Sequence, residues 1–314
     1  MGGDYMSSGA TKSAVAYGVR ARSIRWSKLL VVLGFLVPPA VIYIWLVLLP
    51  MAQAVFYSLY RWNGLGPLQH FVGLGNYELI LRDRVFISAL GHNLIIVALS
   101  ICIQLPLALA LALLLRGGVP GRAAFRMIFF LPYVLSEVVT GVIWSFIYNP
   151  QNGLMNAVLG AVIPGFNPIG WLGDPGIVLY ALFVVITWKY FGLHFILYTA
   201  GLQDIPSELE EAAEIDGAST WQKLRYVTIP LLGRTIRLSV FLSVLGSLQI
   251  FDLIWVMTTG GPVNASETMA TYLYKFGFQR FAIGYGSAVA VVLFVICLAF
   301  AIFYQRQIMS RDYS

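Results

Sequence analysis

Six apolar runs, near residues 29–50, 87–115, 127–148, 177–199, 236–257 and 287–304, set the limits on what this chain can fold into. A run of roughly 20 apolar residues crosses a hydrocarbon core of about 30 Å as a helix. A helix satisfies its own backbone N–H and C=O groups where no water is present to do so. Of the 314 residues 59% are hydrophobic and only 11% charged, against about 25% charged in an ordinary soluble domain. The expectation is an all-α polytopic membrane protein with six transmembrane helices. Polar residues interrupt several runs, which suits helices that face one another. Cys102 and Cys297 both fall within apolar runs and are expected as small core residues, without disulfide or thiol chemistry.

The cations set the topology. With the N-terminus on the cytoplasmic side, the inside segments carry 14 Lys and Arg, among them Lys28, Arg116, Arg122, Lys223, Arg234 and Arg311. The outside loops carry 5, namely Arg61, Arg82, Arg84, Lys275 and Arg280. The positive-inside rule therefore predicts both termini in the cytoplasm of a multi-pass protein of the cell membrane. The basic charge serves topology, and no nucleic-acid partner is expected. The first apolar run is too long for a signal peptide and reads as the first span. Residues 1–28 read as a disordered basic leader and 29–314 as one six-helix transmembrane domain.

Outside the membrane, residues 51–86 predict a short ordered excursion with a helix starting at Gly75 or Asn76. The 149–176 loop is turn-rich and shows no helical period after its first turn. Pro38, Pro39, Pro106 and Pro132 lie within spans and are expected to kink them.

Residues 206–230 form a charged stretch between the fourth and fifth runs. Pro206 suits a first helical position, because its missing N–H would be unpaired there. Glu208, Glu210 and Glu211 follow, where negative charge favours the helix dipole by roughly 0.3–1 kcal/mol each. Gly217 is a natural left-handed terminator. Ser219 and Gln222 have the form of a capping box opening a second helix, and Pro230 is expected to break it before the next span. Helix, glycine turn and helix make a compact knob.

This pattern, with Glu211-Ala212-Ala213, Asp216-Gly217, Val227 and Ile229-Pro230, resembles the EAA loop of binding-protein-dependent ABC importers. Val227 and Ile229 stand where that family favours Ile and Leu, which keeps the apolar character. The likeness extends over residues 28–310, through FVGLGNY at 71–77, LPYVLSEVVTGVIW from Leu131, AGLQDIP before the loop and FDLIWVMTTGGP from Phe251. It resembles most the carbohydrate permeases of the maltose and glycerol-3-phosphate type. The resemblance implies an ATP-driven importer of a sugar or oligosaccharide, with glycerol-3-phosphate or another polar solute as the alternative. It also implies a second homologous permease, two cytoplasmic ATPase subunits that carry the ATP and Mg, and an external solute-binding protein. Glu210, Glu211, Ala212, Ala213, Asp216, Gly217 and Pro230 would then be the ATPase-coupling residues.

None of the five lysines follows a glycine, so the chain has no Walker-type phosphate loop, and no cofactor of its own is expected. No Ser-His-Asp, Cys-His or paired-carboxylate arrangement suggests an enzyme, and no spacing suggests a metal site. A self-sufficient secondary carrier would need internal repeats and an ion-coupled charge network, and neither is evident. Lys189, in ITWKYFGLHF, is the unusual residue of the spans, since a central Lys costs about 2.5–3.5 kcal/mol on insertion scales. It is expected either to line the solute pathway or to pair with an acid, Glu137 or Asp252. The bland alternative is an internal salt bridge that holds the bundle. Trp144, Trp188 and Trp255 are candidate stacking surfaces for sugar rings, against a background of ordinary membrane aromatics.

Overall fold

The computed structural model describes residues 26–116 and 121–309, so most of the basic leader expected over 1–28, and Arg311, lie outside the described residues. The chain divides into two compact units, one ending at Met51 and one beginning at Ala52. The first contains most of α1, which runs Trp26–Tyr43, continues through a π-turn at Ile44–Leu48 and ends as Leu49–Tyr57. Pro38 and Pro39 sit inside this helix without ending it.

Among the described residues of the second unit the regular elements are all helices, and the only β pairing is one isolated bridge, Tyr60 to Phe71. Helix α2 (Gly75–Arg82) begins where the sequence predicts. Helix α3 (Arg84–Leu99) is capped by Asp83, whose carboxylate accepts from Val85 and Phe86 N–H, and it passes through a π-turn at Ser100–Gln104 into Leu105–Leu114. The third run is not one helix. It forms α4 (Arg122–Val134) and α5 (Glu137–Ile147), bent by 100° at Leu135 and Ser136. The break falls beyond Pro132, at two extended residues, and Ser136 opens α5 by accepting from Val139 N–H.

The 149–176 loop also differs from expectation, because Leu154–Val162 forms α6. Asn156 anchors it, accepting from Trp171 Nε1 at 2.8 Å and donating to the Ile169 carbonyl at 3.0 Å. Helix α7 (Val178–Gln203) is the central span, with buried residues on all sides. An added Cβ at Gly192 would lie 2.1 Å from the Phe129 carbonyl oxygen, so α4 and α7 touch backbone to backbone.

The knob consists of α8 (Ser207–Ile215) and α9, which runs Thr220–Lys223, a π-turn at Leu224–Thr228, and Ile229–Leu231. Pro206 is the N-cap of α8 and not its first helical residue. Pro230 lies inside α9, and the 63° bend comes after it, between Leu231 and Gly233. Helix α10 (Gly233–Gln249) ends well short of the expected 257. Ile250 is extended, and α11 (Asp252–Thr258) starts anew. Helix α12 (Met269–Tyr272) continues as a π-turn at Leu273–Gln279, and α13 (Ile283–Tyr304) completes the bundle.

Among the described residues four helices are long and apolar enough to cross a membrane, and the bent pairs α4 with α5 and α9 with α10 each add one more if counted as a single span, giving up to 6. The all-α, six-span expectation therefore holds, with two of the apolar runs broken, the third at Leu135 and Ser136 and the fifth at Ile250 and Phe251. Cys297 is buried in a core shared by α3, α10, α12 and α13. Cys102 is exposed on the π-turn of α3, against the expectation of a core position.

Candidate functional site

Both breaks are built, not frayed. A helix end leaves carbonyls without partners, which is costly away from water. At the first break Lys189, only 3% exposed, donates from Nζ to the Leu135 carbonyl at 2.6 Å. A cation at a helix C-terminus also suits the dipole. Its neighbour Tyr190 donates to Glu137 on the far side of the break. Two successive residues of α7 thus hold the two ends of the broken span.

At the second break Asn93 donates to the Ser247 carbonyl at 2.7 Å, and Thr268 Oγ1 donates to the Ile250 carbonyl at 3.0 Å. The Asn93 carbonyl oxygen accepts from Met269 N–H at 2.9 Å. One fully buried amide therefore ties α3 to the end of α10 and the start of α12. Neither Asn93 nor Thr268 stands out in sequence, although a lone Asn in an apolar run is the signal that marks the first.

Between the breaks lies a cavity of about 190 Å³. Its polar wall comes from Gln104, Tyr133, Tyr190, His194, Ser243 and Ser247, with Gly246 leaving room beside them. His194 Nδ1 is 2.7 Å from Ser239 Oγ, which orients the ring. Gln104 sits on the π-turn of α3, a helix defect often found at functional sites. Its Nε2 is buried and has no hydrogen-bond partner. No Lys or Arg lines this cavity among the described residues.

The residues expected along a pathway lie outside this cavity. Lys189 forms no ion pair with Glu137 or Asp252, and its ammonium meets a backbone carbonyl instead. Glu137 is engaged by Tyr190. Asp252 is exposed in the first turn of α11. Trp144 packs edge-on against Trp188 at 5.6 Å, and Trp255 stacks on Phe251 at 5.7 Å. None of these six lines the cavity, whose aromatic surface comes from Tyr133 and Tyr190.

At the knob, Gly217 has φ +81°, the left-handed value expected of the turn. Ser219 and Gln222 complete the capping box. Glu211, Ala212 and Asp216 are exposed, as are the apolar side chains of Ile215, Trp221 and Tyr226. A shallow cavity of about 330 Å³ beside them is lined by Ala213, Asp216, Gly217, Gln222 and Tyr226. Glu210 points the other way, into the molecule. Its carboxylate accepts from Thr228 Oγ1 at 2.8 Å and pairs with Arg116. Partial burial works to raise the Glu210 carboxyl, and the bonds from Thr228 and Arg116 outweigh it, so the net shift is downward.

Residues 104–312 match the family described as binding-protein-dependent transport system inner membrane component. The chain belongs to this family. As such a permease it is a membrane transport subunit. A probable ABC transporter permease of Pyrococcus horikoshii is 36% identical over 84% of this chain and 90% of its own length. The diacetylchitobiose uptake system permease NgcF of Streptomyces coelicolor is 32% identical over 90% of this permease and 83% of its own length. A solved bacterial ABC transporter that imports the acidic polysaccharide alginate has the same fold, with TM-score 0.80 over 91% of this permease and 98% of that chain at 22% identity.

Proposed function

We propose that this permease carries a neutral sugar or short oligosaccharide inward across the cell membrane, powered by ATP hydrolysis on separate subunits. The observation that carries the solute class is the cavity between the two broken spans. Its wall offers hydroxyl, amide and imidazole groups with two tyrosine rings and no cation, which suits a polyhydroxyl ring and not a phosphate or carboxylate. The buried cation nearby, Lys189, is already engaged by the Leu135 carbonyl. A relative of comparable length serves diacetylchitobiose, a carbohydrate. At about 190 Å³ the cavity is smaller than the roughly 300–1,000 Å³ of a complete ligand pocket, so a second permease facing it would supply the rest.

The knob at 206–230 is the surface for the ATPase. Glu211, Ala212, Ala213, Asp216 and Gly217 lie on or beside its exposed face, with Ile215, Trp221 and Tyr226 as apolar anchors. In this reading the knob and both termini are cytoplasmic, in keeping with the cation distribution. Two ATPase subunits bind the ATP and Mg, and a loaded solute-binding protein docks on the opposite side. Glu210 serves the knob from within and is not a contact residue, whereas Pro230 is exposed on α9.

The test is to co-purify the tagged chain with the products of its neighbouring genes and to measure ATP hydrolysis with candidate binding proteins and sugars. A stable complex stimulated by sugar-loaded binding protein is the expected result. Stimulation only by anionic solutes would overturn the solute class. Transport by the chain alone in liposomes without ATP would overturn the importer reading.

A further inference from the structure

The ion pair beneath the knob joins parts of the chain that are far apart in sequence. Arg116 follows the C-terminal end of α3, and its guanidinium donates to Glu210 on α8 and, at 3.4 Å, to the Leu202 carbonyl near the end of α7. The same Glu210 oxygen accepts from Thr228, which is 3% exposed on the π-turn of α9. One carboxylate therefore connects the two limbs of the knob, and through Arg116 it connects both to the ends of two spans. Lys223 and Glu214 form a second pair between the limbs, more exposed than the first. A cavity of about 520 Å³ lies beneath, with Leu113, Leu114 and Leu224 among its walls. The knob is thus underlain by a gap, and among the described residues its polar attachment to α3 passes through Arg116 and Glu210.

A loop resting over a gap can be pushed without moving what lies behind it, unless a tie transmits the push. We propose that Glu210 is a positioning residue whose pairing with Arg116 and Thr228 makes the knob move with the ends of α3 and α7. Displacement of the knob then reaches the spans on either side of the solute cavity, which include Gln104 on α3 and Tyr190 on α7. Glu210 and Glu211, adjacent in sequence, divide the work. Glu211 faces outward, whereas Glu210 faces inward and holds the knob to the bundle. This rests on reading residues 206–230 as the coupling loop.

Two measurements test it on the chain in nanodiscs and on the reconstituted transporter. Amide exchange of residues 207–215 needs only the permease itself. E210Q and R116E should each raise exchange there several-fold, and the charge-exchanged pair R116E/E210R should restore at least part of the protection. In proteoliposomes with the ATPase and binding protein, the single variants should still assemble and hydrolyse ATP. Solute moved per ATP should fall about tenfold and recover in the exchanged pair. Unaltered transport per ATP in E210Q and R116E would overturn the positioning role, even with faster exchange. Loss of ATPase co-purification in E210Q would overturn it as well, making Glu210 a contact residue. A wild-type chain that moves solute without any ATPase would sink the coupling-loop reading instead, while the exchange difference would still report the tie.

Discussion

Lys189 Nζ on α7 lies 2.6 Å from the Leu135 carbonyl oxygen, at the 100° break between α4 and α5. A residue that looks in sequence like a transport charge is a structural cap. The ammonium supplies the donor that the end of α4 lacks, and the helix dipole favours it there.

Replacing Lys189 with Met should therefore act on stability and leave the choice of solute alone. Loss of the cap leaves a buried carbonyl unpaired, at a cost of about 1–2 kcal/mol. Thermal unfolding of the purified transporter should shift down, and competition by a panel of sugars should keep its order. A changed solute order would return Lys189 to the pathway.

Asn93 should be the more damaging site. Asn93→Leu removes the donor to the Ser247 carbonyl and the acceptor for Met269 N–H, both in a fully buried setting. A loss of about 2–4 kcal/mol is expected, read as a lower melting temperature and poor yield in detergent. Asn93→Asp would keep only the acceptor and should not rescue.

Gln104→Leu should weaken solute transfer without harming the fold, because its Nε2 has no partner to lose. One missing neutral hydrogen bond corresponds to about a three- to tenfold rise in KM for transport, with binding to the solute-binding protein untouched. Uptake kinetics at fixed binding-protein concentration provide the check.

At Gly217 the conformation is the constraint and space is not, since nothing lies within 4 Å of an added Cβ. Gly217→Ala should cost about 1–2 kcal/mol through its left-handed backbone. Gly217→Val should abolish transport while membrane insertion persists. Membrane fractionation alongside uptake separates the two effects.

The Glu210 tie also carries a pH sign. Its carboxyl is held below the ordinary value of 4.5, so the stabilisation is present above that value and is lost as pH falls through the lowered one. Protection of residues 207–215, corrected for intrinsic exchange rates, should be the same at pH 7 and pH 5.

The knob was the most legible part in sequence. Gly217 and the Ser219–Gln222 box act through local backbone geometry, and both appear where the spacing predicts them. The six apolar runs were equally plain, because length and hydropathy alone define a span. The two breaks were not legible. Nothing local ends α10 at Gln249, where the carbonyls of Ser247 and Ile250 find partners on Asn93 and Thr268, many residues away. Pro132 hinted at the first break but lies short of it, since the partner that stabilises Leu135 comes from α7. Lys189 was conspicuous for its charge, yet its role depends on a carbonyl that sequence does not display. Gln104, by contrast, drew no notice because an amide within an apolar run carries no charge.

Gly192 has a mechanical consequence. With the Phe129 carbonyl where a methyl group would sit, α4 and α7 mesh like two gear wheels without clearance. Neither can slide or spin against the other without unseating the backbone. A push on α7 must therefore carry α4 with it as one body.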